Sequence, residues 1–316
     1  MSTPSSSRAT GTNLGIISAK RGPFVRAGLS PRVSTALFLA PALTIFAVFF
    51  LVPNALNFAY AFTDWSTFSS SVHFIGLGNF RDLASDGSLW QSLKTTIYYA
   101  LGVMIVQNTA GLLLALALER DTPWNRVLRV VWFLPLLIGP LASGYIFRGM
   151  LSSNGIVNQT IQSLTGKTIT TQWLGSLDWT LVVVIFIHAW RWCGFSMLVY
   201  LAGLKTIPQD LLESARVEGA SNLKTLRYIK LPLLAPAFTF SVAVTLVGAM
   251  NTFDVVQATT GGGPGESTRV VDVYMFQQFG SGLLGQATAM GAVLFVTVAL
   301  MGLPLVAFLR RREVQL

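Results

Sequence analysis

The chain has 316 residues, of which 52% are hydrophobic and only 11% are charged. A soluble domain carries about 25% charged residues, so the composition excludes an ordinary soluble protein and predicts several membrane spans. The formal net charge of +9 would be compatible with a nucleic-acid partner. Because the basic residues lie beside apolar segments, however, we expect a lipid bilayer and no nucleic acid.

The first 35 residues come before any long apolar segment and are rich in Ser, Thr, Gly and basic residues. This composition predicts a disordered, basic cytosolic tail over residues 1–35. The apolar run that follows is too long, and lies too far from Met1, to be a cleaved signal peptide. It is interpreted as the first membrane helix.

Six apolar segments are long enough to cross a bilayer, which takes roughly 20 residues in a helix. Because open strand edges are not tolerated in lipid, the segments are predicted to be helices. The predicted fold class is therefore all-α and integral to the membrane, with a six-helix domain over residues 36–309 and a cytosolic tail over 310–316. The predicted spans are Ala36–Asn57, Leu93–Leu118, Leu128–Gly149, Trp179–Gly203, Leu233–Gln257 and Gln286–Leu309.

The basic residues are distributed unevenly among the loops. They cluster in the N-terminal tail, in residues 120–129 and 205–230, and after the last span. The alternate loops contain one basic residue each, namely Arg81, Lys167 and Arg269. By the positive-inside rule, both termini are predicted to be cytosolic.

Residues 204–232 form a charged, helix-forming segment between the fourth and fifth spans. Thr206 is predicted to cap a first helix, and Gly219 to allow a tight turn. Ser221 is predicted to cap a second helix, which Pro232 ends. The resulting helix–turn–helix is either a handle for a soluble partner or an interfacial amphipathic helix with no partner.

Within this segment, Glu213-Ser-Ala-Arg-Val-Glu-Gly-Ala220, followed by Leu231-Pro232, resembles the EAA loop of ABC importer permeases. The departures are mild: Ser214 replaces an alanine, Glu218 an aspartate, and Leu226 a common phenylalanine. The resemblance implies that a separate ATPase drives the chain through this segment. The implied ATPase-coupling residues are Glu213, Ser214, Ala215, Glu218, Gly219 and Ala220.

A second match lies between the last two spans. Thr260-Gly-Gly-Gly-Pro264, with Ser267, Thr268 and Tyr274 after it, resembles a loop of carbohydrate-type permeases. The resemblance implies that Gly262, Gly263 and Pro264 contact a solute-binding protein.

Together the two matches make the chain similar to the first permease of a maltose- or glycerol-phosphate-type sugar importer. That family implies a multi-pass protein of the bacterial inner membrane, working with a second permease. It also implies two copies of a cytosolic ATPase, which hold the ATP and magnesium, and an extracytoplasmic binding protein that delivers a sugar.

We expect no catalytic site, no metal and no cofactor on the chain itself. The glycine-rich loop has Glu266 where a phosphate-binding loop needs lysine. One cysteine and two distant histidines do not make a cysteine or histidine metal cluster. The alternative function is a proton- or ion-coupled secondary transporter that uses Asp254, a carboxylate predicted near the outer end of a span.

Sugars are bound by aromatic faces and planar hydrogen-bonding groups, and several lie near the outer ends of the spans. Asn251 and Asp254 are predicted to lie one helical turn apart and to face one cavity. The alternatives are an interfacial belt for the tryptophans and interhelical hydrogen bonds for Asn251 and Asp254. The candidate substrate-path residues are Asn251, Asp254, Trp190, Arg191, Phe253 and Tyr274.

Overall fold

The computed structural model describes residues 31–311, with side chains from Thr35 onward. The described residues are mostly helical, and their one β feature is an isolated antiparallel bridge between Thr63 and Phe74. The predicted all-α class is confirmed. The predicted tails at 1–35 and 310–316 lie mainly outside the described residues, although helix already begins at Pro31.

The described part contains fifteen α-helices and two π-helical turns. They are α1 (Pro31–Phe46), a π turn (Ala47–Leu51), α2 (Val52–Tyr60), α3 (Gly78–Ser85), α4 (Ser88–Ala117), α5 (Pro123–Leu137), α6 (Pro140–Met150), α7 (Ile156–Thr165), α8 (Thr180–Lys205), α9 (Gln209–Val217), α10 (Asn222–Thr225), a second π turn (Leu226–Lys230), α11 (Leu231–Leu233), α12 (Ala235–Met250), α13 (Asp254–Thr259), α14 (Val271–Gly280) and α15 (Leu284–Arg310).

Four straight helical segments in the described range are long and apolar enough to span a membrane. They are Thr35–Tyr60, α4, α8 and α15. Two further spans are bent, and with each bent pair counted as one span the number rises to six, as predicted. The chain also divides into two compact units, one ending at Pro53 and the other beginning at Asn54.

The third span is broken, which corrects the prediction of one helix over residues 128–149. Helices α5 and α6 meet at 96°. Pro140 sterically disfavours the helical conformation in the residue before it, and Gly139 has φ −55° and ψ 143°. Pro140 then begins α6, where its missing N–H has no helical partner to lose.

The core of the second unit lies where α4 packs along α8 and α12. Tyr99, Val103, Val184 and Met250 are fully buried there. Helix α5 also packs against α8, and a side chain at Gly194 would collide with the carbonyl of Trp132. Close approach between these helices therefore depends on a residue without a side chain.

A chain of buried polar side chains joins α4, α8 and α12. Gln107 Nε2 donates to Ser196 Oγ at 2.9 Å and to Thr245 Oγ1 at 3.1 Å. Asn108 Oδ1 accepts from Tyr200 Oη at 2.8 Å and from Ser241 Oγ at 2.7 Å. Since lipid supplies no partners for polar groups, these bonds hold the three helices in register.

Candidate functional site

Helix α9 carries most of the residues that resemble the EAA motif. It begins after Pro208, and the hydroxyl of Thr206 donates to the Gly203 carbonyl at 2.8 Å. The prediction that Thr206 caps this helix is therefore wrong. The chain is still leaving α8 at that residue, and α9 starts three residues later.

The EAA-like residues divide into a buried and an exposed set. Leu212 and Ala215 are buried, and Leu212 belongs to an apolar cluster with Leu118, Leu204 and Leu234, where the ends of α4 and α8 meet the start of α12. The exposed residues are Glu213, Ser214, Glu218 and Gly219, while Ala220 is half-buried. Helix α9 is thus packed through Leu212 onto the ends of three membrane helices and presents its polar face outward.

The turn after α9 requires glycine. Gly219 has φ +78°, the left-handed conformation that other residues adopt at a cost. The N–H of Ala220 donates to the Ala215 carbonyl at 2.9 Å, and the N–H of Gly219 to the Arg216 carbonyl at 3.0 Å. This left-handed closure satisfies the last carbonyls of α9 and reverses the chain.

The second half of the 204–232 segment differs from its prediction in one respect. Ser221 caps α10 by accepting from the Lys224 N–H at 3.4 Å, as expected. Pro232 does not end the helix, since the chain stays helical through a π turn and α11 and breaks at Leu234. Pro232 lies at the start of α11, where its missing donor costs little. The bend to α12 is 64°.

Three large apolar side chains on this segment point outward and were missed by the sequence analysis. Val217 is 90% exposed, Leu223 73% and Tyr228 71%. Contiguous exposed apolar patches rimmed by polar residues mark interaction sites, and these three side chains are candidates for such a contact. The available signal was Val217 itself, a β-branched apolar residue at the end of a charged nine-residue helix.

Side-chain hydroxyl groups form hydrogen bonds within the 260–269 loop. The hydroxyls of Thr260 and Thr268 lie 2.7 Å apart, and Thr268 also donates to the Gly263 carbonyl at 2.7 Å. Arg269 pairs with Glu266 at 2.6 Å. The loop therefore has a defined conformation.

A polar cavity of about 480 Å³ lies against this loop. Gly263 and Pro264 line it, together with Arg148, Ser152, Gln172 and Thr260 among others. Gly262 is buried, and a side chain there would meet Arg269. Of the three residues predicted to contact a binding protein, Gly263 and Pro264 line this accessible cavity, whereas Gly262 is buried.

Arg191, a predicted substrate-path residue, fixes the broken span. Its Nε donates to the Ile138 carbonyl at 2.9 Å, at the gap between α5 and α6. Its guanidinium also lies 5.3 Å from the Trp192 ring centre. Arg191 therefore satisfies a carbonyl that the break leaves without a helical partner. Nearby, Trp190 packs edge-on against Phe147 at 5.1 Å.

Asn251 and Asp254 do not lie on one helix, and that prediction is wrong. Helix α12 ends at Met250, and Asn251 has φ −102° and ψ 43°. The Asn251 amide donates to the Val247 carbonyl at 2.7 Å, so this side chain terminates the helix that it follows. Asp254 begins α13 and lies close enough to Arg191 for an electrostatic interaction.

The other two predicted path residues lie near α14. Phe253 packs against Phe276 at 5.0 Å and lines a mainly apolar cavity of about 410 Å³ with Asp272. Burial raises the pKa of Asp272 to about 7. The Arg269 guanidinium lies over the Tyr274 ring, 4.2 Å from the ring centre. The Tyr274 hydroxyl donates to the Asp86 carboxylate at 3.4 Å. The six predicted residues are thus divided between two neighbourhoods.

A small cavity of about 90 Å³ lies beside the central polar chain. Its lining includes Gln107, Thr245 and Gly248, which the sequence analysis missed, together with His188, Trp192 and Phe195. His188 bonds the Tyr99 hydroxyl at 2.8 Å. Ligand pockets usually measure roughly 300–1,000 Å³, so this cavity does not admit a sugar in the present conformation.

The described residues contain no group of three His, Cys, Asp or Glu side chains that could hold a metal ion.

The family comparison decides the identity. A model of the family described as "Binding-protein-dependent transport system inner membrane component" matches residues 11–313. The chain belongs to this family. It is therefore a multi-pass protein of the inner membrane and a membrane component of a binding-protein-dependent transport system, which confirms the resemblance drawn from the sequence.

Individual relatives agree with the family assignment. The chain is 32% identical to the "Probable starch degradation products transport system permease protein AmyD" of Thermoanaerobacterium thermosulfurigenes, covering 89% of this chain and 95% of that protein. It also superposes on the crystal structure of a bacterial ABC transporter involved in the import of alginate, with a TM-score of 0.76, 22% identity and coverage of 89% and 96%.

A second solved structure holds the bacterial alginate ABC transporter in complex with a periplasmic protein bound to an alginate pentasaccharide. Its TM-score is 0.73, with 21% identity and coverage of 88% of this chain and 94% of that one. These two likenesses establish that the binding-protein-dependent permease shares its fold with importers of known architecture.

Proposed function

We propose that the chain is one of two permease subunits that form the membrane path of a bacterial sugar importer. The observation that carries the proposal is the 204–232 segment. Its EAA-like helix is packed onto α8 and the start of α12 through Leu212, and its polar face and Val217 are free to meet another protein. A helix held in this way transmits an applied displacement directly to the membrane helices.

The partner at this segment is a cytosolic ATPase, present in two copies, which supplies ATP and magnesium. The chain itself binds no cofactor and carries out no hydrolysis. Glu213, Ser214, Glu218 and Gly219 form the polar part of the contact, and Val217 fills an apolar pocket of the ATPase. Ala215 and Ala220 allow the close packing beneath. Both termini lie on the same, cytosolic side.

An extracytoplasmic binding protein delivers the substrate at the opposite side. Support comes from the accessible polar cavity beside Gly263 and Pro264, which offers Arg148 and several hydroxyl and amide groups to a partner. A relative named for starch degradation products and a structural neighbour that imports alginate point to a carbohydrate as the substrate class.

The sugar passes along the face of α12 that carries Val244, Gly248 and Asn251. These residues are exposed, and a side chain at Gly248 meets no atom of the described residues within 4 Å. The second permease faces this surface. Asp254, Trp190 and Arg191 border its outer end, and Phe253 and Tyr274 lie toward the binding protein. Because the central cavity is small, the helices must separate for the sugar to pass.

The mechanism follows from these contacts. ATP binding closes the two ATPases, and α9 moves with them as a rigid unit. Helices α8 and α12 follow because Leu212 is buried in an apolar cluster with Leu204 of α8 and Leu234 at the start of α12. The path then opens toward the binding protein, and hydrolysis returns the helices to their starting position.

The test is to purify the tagged chain in mild detergent and to identify its companions by mass spectrometry. We expect an ATPase and a second six-helix permease. Val217→Asp should lose the ATPase and keep the second permease, because only the apolar contact is disrupted. Leu164→Asp, at an 82% exposed site on α7, is the control and should keep both. A chain purified alone, or Val217→Asp retaining the ATPase, would contradict the proposal.

A further inference from the structure

An ion pair joins the end of α4 to the 204–232 segment. Lys230 Nζ lies 2.5 Å from Glu119 Oε2. The two side chains are largely buried, with 19% and 31% of their surface exposed. They are 111 positions apart in the chain, so the pair is a tertiary contact. A partly buried pair of this kind is screened by salt much less than a fully exposed pair.

The backbone at Glu119 is fixed independently of this pair. Arg129, on α5, donates to the Leu118 carbonyl through Nε at 3.2 Å and through Nη2 at 2.7 Å. Its Nη2 also lies 3.3 Å from the Glu119 carbonyl. Carbonyls at the end of a helix have no partner within the helix, and Arg129 satisfies them here. The Glu119 carboxylate therefore projects from a fixed point toward Lys230.

Lys230 lies where the 204–232 segment turns into the fifth span. It is the last residue of the second π turn, and the 64° bend follows at Leu234. The backbone connects this point to α12, and Leu212 of α9 connects it through an apolar cluster to the ends of α4 and α8 and to the start of α12. The described contacts that join the 204–232 segment to the end of α4 include this ion pair.

We propose that the Glu119–Lys230 ion pair is a positioning contact that makes α4 move together with the 204–232 segment. The inference rests on the proposed function, in which an ATPase displaces α9. Without the pair, α9 would still move α8 and α12. Helix α4 would then be drawn along only through apolar packing, which includes Ala115 and Leu118 in the cluster around Leu212, and through the hydrogen bonds of Gln107 and Asn108.

A neighbouring ion pair provides a matched control. Asp121 and Arg126 lie 3.1 Å apart beside Glu119, but their side chains are 60% and 63% exposed, and they are only five residues apart. The Arg126 hydrogen bond lowers the pKa of Asp121. Exposed pairs contribute little to stability, and this pair links α5 only to the residues just before it.

The experiment uses the complete transporter in proteoliposomes, with its second permease, ATPases and binding protein. Glu119→Lys, Lys230→Glu and the double exchange are compared with wild type. The readouts are ATP hydrolysis with and without the loaded binding protein, and sugar imported per ATP. Each single reversal should lower the stimulated-to-basal ratio about fivefold or more. Residues in contact are coupled by about 0.5–3 kcal/mol, a range that includes a fivefold change. Basal hydrolysis and ATPase co-purification should stay unchanged.

The double exchange restores the attraction with the charges reversed and should recover stimulation to within about twofold of wild type. Arg126→Glu should behave as wild type. Glu119→Gln keeps the side-chain size, and Lys230→Gln removes the charge with a shorter polar side chain. Either change should reduce stimulation, without further loss when the two are combined. Single reversals that stimulate normally, or a double exchange no better than the singles, would overturn the inference. An unstimulated wild-type complex would instead contradict the proposed function.

Discussion

The 204–232 segment and the membrane core are held together by different kinds of contact. Gly219 and Ala220 close the end of α9 with hydrogen bonds spanning three and five residues, and Ser221 caps α10 over three. In the core, Gln107 bonds Ser196 and Thr245, which are 89 and 138 positions away. Local bonds make the segment a rigid unit, whereas the core consists of separate helices joined by apolar packing and a few polar contacts.

This difference suits a transporter that is driven by a partner bound to the 204–232 segment, outside the lipid bilayer. A rigid segment transfers an applied displacement without absorbing it. Helices joined by interhelical hydrogen bonds, each contributing about 0.6–2 kcal/mol, can separate when the segment moves. The following substitutions and one change of pH test this difference, and the largest effect is expected for the first.

Gly219→Val tests the rigidity of the segment. Valine in the left-handed conformation costs roughly 1–2 kcal/mol, so the turn should open and α9 should lose its orientation. We expect uptake and stimulated ATP hydrolysis to fall at least about tenfold, with normal amounts in the membrane by immunoblot.

Gly219→Asn is the control for this change, because asparagine visits the left-handed region. A side chain at residue 219 meets no atom of the described residues within 4 Å, so collision within the chain is not the cause. Normal uptake by Gly219→Val would contradict the role of the turn.

Gly248→Leu tests the path. The added side chain enters open space among the described residues, so folding should be preserved while the proposed passage narrows. Uptake should fall about tenfold, a barrier increase of about 1.4 kcal/mol, with stimulated hydrolysis retained. Gly280→Leu, also at an open position at the end of α14, should transport normally. Equal uptake by both variants would remove Gly248 from the path.

Asn108→Leu tests the polar contacts of the core. The Tyr200 hydroxyl loses its acceptor, and the Ser241 hydroxyl keeps only its longer bond to Ser196 Oγ at 3.3 Å, so the free energy of unfolding should fall by about 1–3 kcal/mol. Asn251→Leu, which removes a bond only to the adjacent helix turn, should cost less. Denaturant unfolding in detergent measures both, and equal losses would show that the interhelical bonds carry no special weight.

Asp64 predicts a small pH effect in the loop after α2. The His73 N–H bonds Asp64 Oδ1 at 2.6 Å and lowers the pKa of this carboxyl below its ordinary value of 3.8. The contribution to stability is therefore fully present above pH 3.8 and is lost as the pH falls through the lowered pKa. The protection of the His73 amide against hydrogen exchange, relative to an unstructured peptide at the same pH, should fall only in this acid range. Asp64→Ala should lack this protection at every pH above that range.

The sequence predicted the spans and the Gly219 turn because both depend on neighbouring residues. Apolar length fixes a span, and Gly219 followed by Ser221 indicates a turn followed by a cap. The break before Pro140 was also accessible, since a proline disfavours helix in the residue before it.

The path could not be predicted in the same way. Asn251 ends its helix through a bond to Val247, and Arg191 bonds a carbonyl 53 positions away. Gln107 and Asn108 are adjacent amides within an apolar span, but the sequence analysis missed them, and their partners on α8 and α12 depend on how the helices pack. The contacts of Arg191, Gln107 and Asn108 follow from tertiary structure rather than from any local pattern.

The most direct test of the central claim is sugar uptake by the purified complex in proteoliposomes, with ATP and a proton gradient supplied separately. We predict uptake that requires ATP, the separate ATPase and the binding protein, and that Gly219→Val abolishes. Uptake driven by the proton gradient without the ATPase, and lost in Asp254→Asn, would contradict this account and indicate a secondary transporter.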